Sequence, residues 1–163
     1  MAVLEIENVS QTFGSGETAV QALKPTTLSV DAGELVALLG PSGSGKSTLL
    51  LAISLIQPPT TGRITIGGEL LYDDGPTGVD ARAFRRRKIG FIFQQNNLIP
   101  FLTARENIAL MPSINGKSRR ESTRRAQELL DYLEIGHRAD AVPARMSGGE
   151  QQRVAIARAL AND

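Results

Sequence analysis

Cysteine is absent from the 163-residue chain. That absence excludes disulfide scaffolds, cysteine-ligated zinc and iron–sulfur clusters together. Long apolar runs are lacking too: the longest, at residues 35–39 and 49–53, fall far short of the roughly 18 residues that span a bilayer. The opening residues, Met1-Ala2-Val3-Leu4-Glu5, carry neither a basic leader nor a small-residue cleavage site, so the chain is expected to start directly with a domain. An excess of one charge is also missing. Lys plus Arg is 18 and Asp plus Glu is 17, a net charge of +1, which argues against a broadly basic nucleic-acid-coating surface. What is present, 41% hydrophobic and 21% charged residues, suits a globular chain with a real core.

Leu4-Glu5-Ile6-Glu7-Asn8-Val9 alternates apolar and polar residues, the pattern of a half-buried strand. Residues 26–30 read similarly and run into a turn at 31–34. Residues 35–39 are apolar throughout, as in a strand covered on both faces of a parallel sheet. Residues 46–56 form a buried helix, stopped by Pro58-Pro59. Short strands are expected at 63–66 and 89–93. Leu70-Leu71-Tyr72-Asp73-Asp74 superficially copies a metal-binding strand tipped by acids, but it runs into Gly75-Pro76 and reads as a surface turn. Beyond residue 100 three capping boxes announce helices: Thr103 with Glu106, Ser118 with Glu121 and Ser147 with Glu150. The second continues as an apolar stripe, Ala126, Leu129, Leu130 and Leu133, with Gly136 as its expected cap. His137, the single histidine, then lies on the surface. The chain is β-rich first and helical second.

Gly40-Pro41-Ser42-Gly43-Ser44-Gly45-Lys46-Ser47 fits G-x-x-x-x-G-K-[ST], after an apolar run and before a helix. Glycines there let the backbone curl so that successive N–H groups converge on one anion. The helix start adds its positive dipole end. Lys46 would reach the β- and γ-phosphates of a nucleoside triphosphate, and the Ser47 hydroxyl would hold Mg²⁺. A second unusual helix start is Met146-Ser147-Gly148-Gly149-Glu150-Gln151-Gln152-Arg153. A plain N-cap at Ser147 leaves Gly148 and Gly149 unexplained, since each costs a helix up to about 1 kcal/mol against alanine. Bare backbone at that place suits an anion approaching the N–H groups.

With these two motifs in this order, the chain resembles the ATP-binding-cassette family of transporter ATPases over its whole length from Leu4. The family's Leu-Ser-Gly-Gly-Gln signature has its counterpart in Met146-Ser147-Gly148-Gly149-Glu150, where Met keeps an apolar anchor and Glu for Gln is a mild departure. The resemblance implies an α/β P-loop NTPase with a mixed sheet core, an antiparallel β subdomain and a helical signature subdomain. Residues 1–95 would be the nucleotide-binding core with its β subdomain, and 96–163 the helical subdomain. It implies ATP and Mg²⁺ at Gly40, Pro41, Ser42, Gly43, Ser44, Gly45, Lys46, Ser47 and Thr48. Gln94 would be the glutamine that touches Mg²⁺ and the attacking water, with Gln95 its adjacent rival. Phe13 would stack on adenine, although on sequence alone it could equally be a core residue at a strand end. Ser147, Gly148, Gly149 and Glu150 would face the nucleotide of a partner in a head-to-tail homodimer or paired cassette.

A membrane-spanning permease subunit is the further implied partner. It would dock near Asn96-Asn97-Leu98-Ile99-Pro100-Phe101, where Leu98 and Phe101 either form an exposed apolar patch or plug a local core. The location implied is cytoplasmic, peripheral on the inner face of the cell membrane. Residues 90–100 look like the lipoprotein-release and macrolide-export branch, so an exporter is expected. Soluble cassettes acting on the ribosome or DNA, and a non-hydrolysing regulator, are the alternatives. The family's metal-binding Asp and catalytic Glu lie on a strand after the signature helix. No such pair follows Leu160, so the 163-residue chain is expected to bind nucleotide weakly and not to hydrolyse it efficiently. Two basic clusters, Arg82, Arg85, Arg86, Arg87 and Lys88, then Lys117, Arg119, Arg120, Arg124 and Arg125, hold 10 of the 18 basic residues. Neither interleaves aromatics, so they read as solvated faces and no nucleic-acid partner is expected.

Overall fold

The computed structural model describes residues 2–162. The chain divides into two compact units, Met1–Ala81 and Arg82–Asp163. The first holds strands β1 (Ala2–Phe13), β2 (Val20–Asp31), β3 (Thr61–Ile66) and β4 (Glu69–Asp73), and helix α1 (Lys46–Ile53). The strands form one antiparallel sheet in the order β2-β1-β3-β4. The alternation that marks residues 4–9 as a strand sets the register. Ile6 lies opposite Leu28 on one side and Ile64 on the other, and Ile64 opposite Tyr72. Ile6, Val9, Ile64, Leu71 and Tyr72 are buried in this core, and α1 packs on β1 and β2 through buried Leu49 and Ala52.

Four expectations are corrected here. Residues 70–74 are not a surface turn: residues 70–73 belong to β4, where Tyr72 donates its O–H to the Pro59 carbonyl at 2.6 Å and both Leu71 and Tyr72 are buried, and only Asp74 lies beyond the strand. The acids at its tip serve the sheet. Asp73 takes both Nε and Nη2 of Arg63 at 3.2 Å, and the Asp74 carboxylate accepts the Gly62 N–H at 2.6 Å. Residues 35–39 form no strand; no ladder partner faces them among the described residues, and Leu35 is 97% exposed. Residues 89–93 likewise join no sheet among the described residues. Helix α1 stops at Ile53 rather than 56 because Leu55 turns left-handed, with φ 53°.

The second unit is helical: α2 (Ala81–Lys88, whose first residue lies in the other unit), α3 (Ala104–Ile114), α4 (Arg119–Tyr132) and α5 (Gly148–Ala159). All three capping boxes form as the sequence predicts, each with the Ser or Thr hydroxyl accepting from the Glu N–H and the carboxylate accepting in return. The core gathers Ile108, Ala126, Leu129, Leu130, Ile135, Val154 and Ala157. Gly136 does not cap α4. That helix ends at Tyr132 and left-handed Glu134 (φ 59°) turns the chain, while Gly136 opens a short 3-10 turn where a Cβ would collide with the Asp131 carboxylate. No helix among the described residues is long and apolar enough to cross a membrane.

Candidate functional site

In the first unit the loop from Gly40 to Gly45 leads into α1. Gly45 sits at the N-cap with φ 88° and Gly43 has φ 79°, a left-handed geometry that favours glycine. Gly45 has a second reason to lack a side chain: its Cβ would stand 2.8 Å from the Ala22 carbonyl of β2. The loop is thereby pressed against the sheet. Lys46 Nζ crosses it, donating to the Gly40 carbonyl at 2.8 Å, the Pro41 carbonyl at 2.7 Å and Ser44 Oγ at 3.2 Å. An ammonium is thus fixed at the centre of a ring of backbone. Helix α1 carries no acidic residue in its first turn and no side-chain cap. Its first internal bond runs from the Leu49 N–H to the Gly45 carbonyl at 2.8 Å, which leaves the amides of Lys46, Ser47 and Thr48 without intrahelical partners.

This arrangement has the donors an anionic polyphosphate requires: free first-turn amides, a positive helix end and a lysine within the loop. Pro41, Ser42 and Ser44 form its exposed rim, and the Ser47 side chain is exposed in the first turn. Phe13 closes the same end of the sheet. It pairs with Val20 on β2, two residues before the Ala22 carbonyl that abuts Gly45, or about 7 Å along the strand. Phe13 is 39% exposed, so its ring is not consumed by the core.

In the second unit the signature turn is built by Ser147, the N-cap of α5. Its Oγ accepts from the Glu150 N–H at 3.3 Å, and its own N–H donates to the Glu150 carboxylate at 2.7 Å. Gly148 and Gly149 are exposed, and a Cβ on either would meet open space. Sterics therefore do not demand glycine there. Met146 is the buried apolar anchor expected. Glu150 also accepts from Arg138 Nε at 2.6 Å. The Ser147 backbone N–H and the Arg138 guanidinium hold its carboxyl down to about 2.

Gln94 is exposed at the start of a loop that α5 holds in place. Arg158 donates from Nη1 to the Asn97 carbonyl at 2.7 Å and from Nη2 to the Asn96 carbonyl at 3.0 Å. Burial pushes its pKa down from the usual guanidinium value. Sequence reasoning missed this clamp; the only signal was an arginine in the otherwise small and apolar stretch 154–160. It missed Asn107 as well. That fully buried side chain donates to the carbonyls of Ile99 (3.1 Å), Leu102 (3.0 Å) and Thr103 (3.0 Å), and accepts the Ile99 N–H at 2.8 Å. The two apolar candidates of this stretch part company: Leu98 packs on the helical core, whereas Phe101 is 79% exposed. Among the described residues no group of three or more His, Asp or Glu side chains could hold a metal.

A glycine-rich anion loop opening a helix, with its lysine in place, defines the α/β P-loop NTPase class. The family model for the ABC transporter matches residues 23–163, and the chain belongs to that family. It is 42% identical, over 99% of its length, to the methionine import ATP-binding protein MetN of Streptococcus pyogenes serotype M4 (strain MGAS10750), and 41% identical to that of serotype M3 (strain ATCC BAA-595 / MGAS315). It spans about half the length of these curated relatives, 46% in each case. Two solved structures share its fold at 43% identity, covering 98% of this chain and 69% of theirs. The dimeric bacterial ABC transporter cassette MJ0796 superposes with a TM-score of 0.89, and the dimeric post-hydrolysis state of MJ0796 bound to ADP and Pi with 0.88.

Proposed function

We propose that the chain is the nucleotide-binding part of an ATP-hydrolysing transporter subunit, working as a pair of cassettes beneath a membrane-spanning permease. The observation that carries this reading is the loop at 40–48, with its helix end free of acidic residues and Lys46 held among its carbonyls. MgATP would enter as substrate. Phe13 would stack on the adenine, the loop amides and Lys46 would take the β- and γ-phosphates, and the Ser47 hydroxyl and Gln94 would contact the metal carried by the nucleotide. Ser147 and Gly149 would present a hydroxyl and bare amides to the γ-phosphate of a second copy, so that nucleotide holds the pair together and hydrolysis parts it. Gln94 would orient the attacking water, its loop steadied by Arg158. Phe101, exposed beside the Asn107 staple, supplies an apolar surface for the permease. The protein would accordingly sit in the cytoplasm, peripheral on the inner face of the cell membrane.

For the direction of transport, residues 90–100 support an exporter. The 42% identity to proteins named for methionine import supports the second reading, an importer cassette. Titrating the chain with a fluorescent ATP analogue tests the nucleotide site. Lys46→Ala is expected to abolish saturable binding while leaving the helical signal unchanged, and unaltered binding would refute the site. Purifying the full-length gene product from membranes tests the transporter reading: co-purification with a membrane-spanning protein is expected. Recovery with ribosomes or DNA, or a complex with no ATP turnover, would favour the soluble and regulatory alternatives. The identity and orientation of the co-purified permease then decide export against import.

A further inference from the structure

We propose that Arg138 is a charge-compensating, positioning residue for the signature turn, its guanidinium cancelling the Glu150 carboxylate so that the phosphate of a second copy's nucleotide can approach Ser147, Gly148 and Gly149. The proposal rests on the reading that those three residues receive that phosphate.

A carboxylate at the third helical position stabilises a helix N-terminus by meeting its positive end. A phosphate needs that same positive end, so the two anions compete. Glu150 cannot leave. One oxygen accepts the Ser147 N–H at 2.7 Å, the other accepts Arg138 Nε at 2.6 Å, and the side chain is only 18% exposed. Without a cation its charge would stand unscreened at the turn. Arg138 is placed to prevent that. It closes the 3-10 turn Gly136–Arg138, its backbone N–H bonded to the Ile135 carbonyl at 2.9 Å, and its neighbours Ile135 and Ala139 are buried in the helical core. His137 Nε2 lies at 3.7 Å from the same oxygen but is largely exposed.

The other capping boxes show that the ion pair is not needed to build the turn. Helices α3 and α4 form the same reciprocal box with Glu106 and Glu121, and neither carboxylate makes an ion pair among the described residues. Those helices begin Ala104-Arg105 and Arg119-Arg120, whereas α5 begins Gly148-Gly149. Glu106 has Arg105 and Arg119 nearby and Glu121 has Lys117 and Arg124, but the directly ion-paired carboxylate occurs at the one start of the three that opens with two glycines.

The test uses the full-length gene product and follows ATP-dependent self-association by sedimentation, with nucleotide affinity of the separate subunits measured alongside. Arg138→Gln keeps a donor but removes the charge. It is expected to raise the ATP concentration for half-maximal association about tenfold, the scale of one uncompensated like-charge contact near a surface, with subunit nucleotide affinity unchanged. The deficit should shrink at high salt. Arg138→Lys should retain most of the association. Adding Glu150→Gln to Arg138→Gln should restore association to within about twofold, because a neutral amide still completes the box. A deficit that persists in the double variant, or no deficit in Arg138→Gln, overturns the proposal. Should Arg138→Gln fail to fold, the double variant alone decides between the same two outcomes. Failure of the unmodified protein to associate with ATP instead overturns the underlying reading of the signature turn, and the proposal with it.

Discussion

Replacing Asn107 with leucine tests how the helical unit fixes the stretch that leads from Gln94 to Phe101. The asparagine is fully buried and makes four side-chain bonds to residues 99–103. Their loss is unequal. The Ile99 carbonyl keeps the Leu102 N–H at 3.2 Å, and the Thr103 carbonyl keeps the backbone N–H of residue 107 at 2.9 Å. The Ile99 N–H and the Leu102 carbonyl keep nothing. Each such stranded group costs about 1–3 kcal/mol where water enters poorly. Part of that is offset because leucine buries more apolar surface, so a net loss of about 3 kcal/mol is expected. Native-state hydrogen exchange of amides in α3, α4 and α5 measures it without requiring both units to unfold together. Exchange at the Ile99 amide should become fast even where α3 stays protected. A loss below about 1 kcal/mol, with Ile99 still slow, would refute the claim that this side chain holds the loop.

Three further outcomes follow from the same geometry. Gly45→Ala should abolish nucleotide binding and lower stability by about 2 kcal/mol or more, since the new Cβ meets both a left-handed φ of 88° and the Ala22 carbonyl at 2.8 Å; calorimetry and nucleotide titration check it. Arg158→Ala strips the donors from the Asn96 and Asn97 carbonyls. It should cut ATP turnover of the full-length protein while leaving nucleotide affinity within about twofold, as read from kcat against KM. Glu150, held down to about 2 by the Ser147 N–H and Arg138, has a folded pKa below its ordinary value. It therefore adds stability that is full above about pH 4.5 and is lost as pH falls towards 2. Glu106 and Glu121, lowered by their own boxes, act in the same direction. Glu150→Gln lacks that contribution, so its acid unfolding monitored by circular dichroism should shift to higher pH, and an unmoved midpoint would count against the paired carboxylate.

Legibility in the sequence followed the distance over which each feature is held. The glycine-rich loop at 40–47 and the three capping boxes are complete within four to eight consecutive residues, and each takes the backbone form that the local pattern predicts. Residues 35–39 and 89–93 show the opposite case. Apolarity reports a tendency to be buried, but a strand exists only when another strand offers a ladder. Among the described residues none does, and Leu35 and Leu39 are left 97% and 90% exposed. Residues 70–74 failed for a related reason. Their acids suggest a wet turn until Arg63, ten residues back, is found paired with Asp73. Arg158, whose partners lie 61 and 62 residues away, leaves no local trace beyond its own charge.

Position 150 shows what such a partner changes. Read along the chain, glutamate for glutamine in the signature is a mild departure, because the phosphate contacts would come from Ser147 and the glycine backbone. In the fold it is a change of charge at the helix end where a phosphate would bind, and Arg138, twelve residues earlier, answers it at 2.6 Å. The departure is mild only while that arginine is present. Residues 138 and 150 therefore act as one unit, so the effects of substituting them should not add, the non-additivity expected of groups in direct contact.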